Sequence, residues 1–173
     1  MYKIDINSLL INWEVLYYGI KNDIISPKAS IDYASVYLEK NQYEDNSDII
    51  DLLILEDFQK DKVLKLLKRI KQISTSDFFC KKVLRYLILD TARNSLFDTN
   101  ALLEFAEEVY ADFDYPEDMN SFIKYMPVSD DYNPSLHTEE ENLKHLCHNF
   151  DKFMANELLW ITENQIWKIY IQS

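Results

Sequence analysis

The chain has 173 residues, 47% hydrophobic and 14% aromatic, and its 30 acidic side chains against 18 basic ones give a formal net charge of −12. That much apolar material excludes a disordered chain, and the length suits one domain with a core that needs no staples. An acid excess of this size excludes a phosphate-binding nucleic-acid surface, because the backbone phosphates would be repelled.

A single glycine, Gly19, occurs in the whole sequence. Gly-rich phosphate loops and most positive-φ hairpin turns are therefore missing, and the fold class reads as all-α. The expected architecture is a single helical domain over 1–173, an array or bundle of about seven helices. At the N-terminus Asp5 interrupts what would be the apolar stretch of a signal peptide, and no uncharged apolar run approaches a membrane span. The expectation is a cytoplasmic protein with no membrane partner.

Leu9, Leu10, Trp13, Leu16, Tyr17 and Ile20 recur at helical spacing and predict a first helix. Ser26-Pro27 supplies a cap and a first-turn proline for a second, carrying Ile31, Ala34 and Leu38 inward. Ser47-Asp48 opens a third. Its run from Ile49 to Leu55 also reads as a buried strand, and the acids of the first turn favour the helix. Val63, Leu66, Leu67, Ile70 and Ile73 mark an amphipathic fourth helix, with Lys62, Lys65, Lys68, Arg69 and Lys71 around its far side.

After a break at Ser74-Thr75-Ser76, the stretch Phe78 to Arg93 is apolar on most faces and predicts a central, covered helix. Asp98 or Thr99 caps the next, with Leu102, Leu103, Phe105, Ala106, Val109 and Tyr110 inward and Glu104, Glu107 and Glu108 outward. Pro116 begins a short helix holding Glu117, Asp118, Phe122 and Tyr125, ended by Pro127. Val128 to Ser135 is loop. Thr138 and Glu141 form a capping box for a long last helix with Leu143, Leu146, Phe150, Phe153 and Met154 inward. Trp167, Ile169 and Ile171 alternate with polar neighbours, as Ile4 and Ile6 do, which predicts a minor two-stranded pairing of the termini.

Charge is distributed unevenly along this pattern. From Asn94 to Glu141 there are thirteen acids and one base, Lys124, while the acids and bases elsewhere cancel. Ten of the 18 bases cluster between Lys60 and Arg93. A concentrated negative face is suited to a basic protein partner, with aromatic residues as apolar anchors among the carboxylates. The candidate partner-binding residues are Glu104, Glu107, Glu108, Asp112, Phe113, Asp114, Tyr115, Glu117, Asp118, Asp130 and Asp131, with Tyr110 as a further anchor.

Other chemistry is poorly provided for. The acids around Asp112 and Asp114 lack the glycine and alternating ligand order of a calcium loop. His145 and His148 share a helical face but have no second ligand pair, and Cys147 points elsewhere, so no metal site is read. Neighbours one and two residues apart on a helix do not meet, which rules out pairing Cys147 with either histidine as nucleophile and base. Cys80 and Cys147 both fall in helical apolar patterns and read as free thiols in a reducing compartment. No catalytic residue and no cofactor is assigned.

The segments Trp13-Glu14-Val15-Leu16-Tyr17-Tyr18-Gly19, Ile25-Ser26-Pro27 and Asp32-Tyr33-Ala34, with the longer Val109 to Met119 and Phe122 to Pro127, resemble domain-of-unknown-function family 2247. The resemblance covers nearly the whole chain and implies no activity. By analogy, small acidic helical bacterial proteins of this kind resemble the immunity partners of polymorphic toxins. The functional expectation is a non-enzymatic, immunity-type inhibitor of a basic bacterial toxin. The alternatives are a metal-dependent hydrolase using the Asp112/Asp114 cluster and a structural subunit.

Overall fold

Seven α-helices and two 3-10 turns account for the regular structure of the described residues: α1 Trp13–Lys21, α2 Lys28–Lys40, α3 Ser47–Leu53, α4 Lys60–Ile70, α5 Asp77–Ser95, α6 Thr99–Asp112 and α7 Glu139–Ile171, with 3-10 turns at Glu117–Phe122 and Pro134–Leu136. The structure, a computed structural model, describes residues 1–41, 46–70, 76–128 and 130–171, with 165–171 described as backbone alone. Lys71, Ile73, Ser74 and Thr75 lie outside the described residues. The fold is all-α. No helix among the described residues is long and apolar enough to cross a membrane.

Side chains that satisfy the exposed amides set the helix starts. Asn12 accepts from the Val15 amide to open α1, and Asn46 accepts from Asp48 to open α3. The Ser26 hydroxyl accepts from the Lys28 amide ahead of α2. Asp98 accepts from Ala101 at 2.9 Å to open α6, and Thr138 and Glu141 exchange the hydrogen bonds of a capping box at α7. The cap pulls the Glu141 carboxyl below its ordinary pKa, chiefly through the Thr138 backbone hydrogen bond.

The chain divides into two units, Met1–Ile88 and Leu89–Ser173, and the division falls inside α5. In the first unit, α1 packs on α4, α3 packs on both α2 and α4, and Val15, Leu16, Ile20, Ile49, Leu52, Val63 and Leu67 are buried. Gly19 sits where α1 meets the Ile24-Ile25 segment, its carbonyl accepting from both amides. A Cβ built there would lie 2.8 Å from Ile25 Cγ1 and 3.0 Å from Leu84 Cδ1, so the one glycine is required by close packing.

The first unit's basic helix is partly neutralised within that unit, by Lys60 on Asp23 and Arg69 on Asp48, each at 2.6 Å. Lys62, Lys65 and Lys68 face solvent, as the amphipathic pattern requires.

In the second unit, α7 packs against α6 and against the first 3-10 turn. Phe122 is fully buried, its ring 5.4 Å from Phe150 and 5.1 Å from Phe153. Those two phenylalanines and Met154 form the inward face expected of α7. The helix predicted after Pro116 is this 3-10 turn and stops at Phe122, where Ile123 turns extended at φ −86°, ψ 121°.

The terminal strand pairing is a correction. The α7 backbone runs as helix to Ile171, because no proline or glycine follows Pro134 to stop it. The N-terminal segment pairs instead with the connection between α1 and α2, through one parallel bridge between Tyr2 and Ile25 and a 2.8 Å hydrogen bond from the Tyr2 amide to the Ile24 carbonyl. Cys80 is buried, Cys147 half-buried, and both are free thiols.

Candidate functional site: an acidic surface and the pocket beside it

The acidic surface is built from the end of α6 onward. The Tyr115 amide donates to the Tyr110 carbonyl at 2.9 Å and the Asp114 amide to Ala111 at 3.2 Å, the crossed pair of a Schellman cap. Asp114 takes the left-handed position, φ 66°, where glycine is usual, and Tyr115 follows at φ 54° directly before Pro116. The cap's apolar contact is an edge-on pair of Tyr110 and Tyr115 rings at 5.3 Å.

This cap yields a check on the geometry. Asp114→Gly is expected to leave stability unchanged or raise it, while Asp114→Ala costs about 1 kcal/mol, since alanine pays for positive φ and glycine does not. Both remove the same charge, so urea unfolding separates backbone from electrostatics. Equal costs would mean that the left-handed cap is absent.

The turn settles which predicted residues face outward. Phe113 is 2% and Tyr110 3% exposed, so neither is a surface anchor. Phe113 ends α6 with its side chain in the core, and the Tyr110 hydroxyl donates to Asn120 at 2.7 Å. Tyr115 is 62% exposed and is joined by Tyr125 at 60%, whose ring lies 6.3 Å from Tyr110. Partial desolvation, then Tyr110, Glu107 and Tyr115, raise the Tyr125 hydroxyl above its ordinary pKa. It stays a donor beside carboxylates.

Glu104, Glu108, Asp112, Asp114, Glu117, Asp118, Asp130 and Asp131 are all exposed. Glu107 is half-buried and accepts from the Lys124 amide at 3.1 Å, which ties α6 to the segment after the 3-10 turn. Lys124, the only base of this stretch, is turned onto Asn100 at 2.7 Å and Glu104 at 3.6 Å. One carboxylate is thereby partly neutralised. Arg93 reaches Asp151 on α7, at 2.9 Å.

A second feature of this unit could not be read from local sequence. Tyr132, in the loop before α7, lies parallel to His145 at 3.8 Å and to His137 at 4.5 Å; two rings that close and parallel must occupy opposite faces. The Tyr132 hydroxyl donates to Asn142 at 2.8 Å, and His145 Nε2 lies 3.1 Å from Asp130. His137 Nδ1 is 3.7 Å from Glu141. Burial, then Glu141 and Asp130, raise the Tyr132 hydroxyl pKa.

Behind this stack is a pocket of about 200 Å³ between the 3-10 turn, the loop and α7, walled by Ile123, Met126, Val128 and Leu146. Its polar lining includes Asp130, Tyr132, His145 and Asn149, and the Asn149 amide donates to the Ser121 carbonyl at 3.0 Å.

The remaining predicted groups have simpler places. His145 belongs to the stack while His148 is exposed. Burial, followed by the charge of Asp151, raises the Cys147 thiol pKa, which disfavours the reactive thiolate. Among the described residues no three of His, Cys, Asp and Glu are gathered to hold a metal ion.

No curated protein and no solved structure matches the chain. Residues 2–158 match the family described as "Uncharacterized protein conserved in bacteria" (DUF2247), and the long motif around the Tyr110 to Pro116 turn lies inside the match. With nine-tenths of its length covered, the chain belongs to that conserved bacterial family, domain-of-unknown-function family 2247.

Proposed function

We propose that this protein is a non-enzymatic, acidic binding module of the immunity type, which inhibits a basic bacterial toxin by covering its positively charged cleft. The observation that carries the reading is the end of α6 and the turn after it. There Glu108, Asp112, Asp114, Glu117 and Asp118 face solvent around the exposed ring of Tyr115, and the one base of the stretch is directed at Asn100 and Glu104. Carboxylates so placed speed and orient encounter with a cation-rich surface, and exposed tyrosines supply area that is buried on contact.

The test is co-expression with the product of the adjacent reading frame. A toxin there should arrest growth alone and be neutralised by this chain. Reversing Glu108, Asp112, Asp114 and Glu117 to Lys should slow association about ten- to hundredfold and abolish its salt dependence. Glu107 is left intact in that variant because it holds the Lys124 amide. Tight association that survives the four reversals would exclude the acidic surface as the interface.

A further inference from the structure

We infer that the pocket beneath the Tyr132 stack is a socket for an arginine side chain of the basic partner, a reading that rests on the acidic surface being the interface. The pocket is small. At about 200 Å³ the pocket is below the roughly 300–1,000 Å³ typical of sites for drug-sized ligands. It accommodates one long side chain.

Donors and acceptors of the lining are unequally engaged. Four donors of the lining are turned to neighbours in the same unit, and the Asn149 amide also lies 3.2 Å from His145 Nε2. Lys124 Nζ donates to Asn100, the Tyr132 hydroxyl to Asn142, the Asn142 amide to the Pro134 carbonyl and the Asn149 amide to the Ser121 carbonyl. Acceptor capacity remains. The Asp130 carboxylate accepts from the Tyr132 amide at 3.1 Å and lies 3.1 Å from His145 Nε2, which leaves it further lone pairs. A pocket with a carboxylate in its lining and those four donors already engaged suits a ligand that carries several N–H groups and no acceptor, which is the guanidinium.

Shape and charge also fit an arginine. Ile123, Met126, Val128 and Leu146 offer apolar wall to the methylene stem, while Asp130 can take the planar head through two parallel hydrogen bonds. The ionisable groups lining the pocket are Asp130, Tyr132, His145 and Lys124, and the Lys124 ammonium is met by Glu104 at 3.6 Å. Glu139 and Glu140 line the shallower groove that shares Lys124, Asn142 and Leu146, and Glu140 is paired with Lys144 at 2.6 Å.

The probe is N-acetyl-arginine methylamide, titrated into the full chain and followed by the NMR signals of His145, Tyr132 and the Leu146 methyls. The corresponding lysine and leucine amides serve as controls. The expected result is saturable binding with a Kd on the order of millimolar, at least about fivefold tighter for arginine than for lysine. Asp130→Asn, which keeps the shape, should weaken it about tenfold, and Leu146→Trp should block it. Equal shifts for all three probes, or arginine binding unchanged in Asp130→Asn, would overturn the socket.

The four charge reversals on α6 and its turn leave the pocket residues untouched. Arginine binding that persists in that variant while toxin neutralisation fails would support the socket on its own evidence. Toxin neutralisation that survives Asp130→Asn and Leu146→Trp undiminished would overturn the socket and leave the acidic surface standing.

Discussion

Phe122→Ala is expected to destabilise the protein by about 3–5 kcal/mol, lowering its melting temperature by roughly 6–20 °C at the scale of a chain this size. The phenyl ring is fully buried and packs edge-on against Phe150 and obliquely against Phe153, so its removal costs transfer energy, two aromatic contacts and a cavity. It sits at the end of a six-residue 3-10 turn, a tighter coil with poorer hydrogen-bond geometry than an α-helix. The segment that carries Lys124 and Tyr125 follows immediately, so the loss should reach both the surface tyrosine and the pocket. Phe97→Ala is the control, since that ring is fully exposed and its removal should change stability by less than about 0.5 kcal/mol. Urea unfolding of the two variants decides the matter, and comparable costs would mean that the second unit is not organised around Phe122.

The second large effect is expected at Gly19. Gly19→Val should cost about 3 kcal/mol or more, a drop of roughly 6–12 °C, although valine is the better helix former by a few tenths of a kcal/mol. Its Cβ would fall 2.8 Å from Ile25 Cγ1 and 3.0 Å from Leu84 Cδ1, both in buried side chains, before its two methyls are counted. Nor can the backbone retreat readily. The Gly19 carbonyl accepts from Ile24 at 2.8 Å and Ile25 at 3.3 Å, and the Ile24 carbonyl in turn holds the Tyr2 amide. Gly19→Ala should be milder, at about 0–2 kcal/mol, because the overpacking of one methyl is partly offset by roughly 1 kcal/mol of helix propensity. Thermal unfolding that ranks valine no worse than alanine would show that the close approach is not tight.

These two positions also show where the sequence was informative. The shortage of glycine argued against phosphate loops and most hairpin turns, and the helical periods placed the long helices apart from the end of α7, because amphipathic spacing and cap residues are local properties of the chain. The role of Gly19 itself was not legible, since the residues it must admit, Ile25 and Leu84, come from a following loop and a distant helix. The terminal alternation of Trp167, Ile169 and Ile171 misled for the complementary reason. A period of two in a few residues is outweighed by a helix already propagating through them with nothing to break it.

The candidate surface was legible as charge and illegible as shape. Thirteen acids against one base could be counted along the chain and the inward side of Tyr110 followed from helical spacing, but Phe113 is buried just ahead of the reversal at Asp114, a left-handed residue that is not glycine. Aspartate tolerates that conformation better than most side chains, which is a weak signal in a segment already full of aspartates. The Tyr132 stack had no signal. It joins residues 5 and 13 positions apart from a loop and from α7, and neither spacing repeats.

The continuity of α5 bears on how the chain can be taken apart. Since the boundary between Ile88 and Leu89 falls in mid-helix, a gene split there would sever backbone hydrogen bonds and leave a ragged end on each piece, with several amides or carbonyls stripped of their partners. Fragments meant to be studied separately would each have to retain Asp77–Ser95 to keep that helix whole.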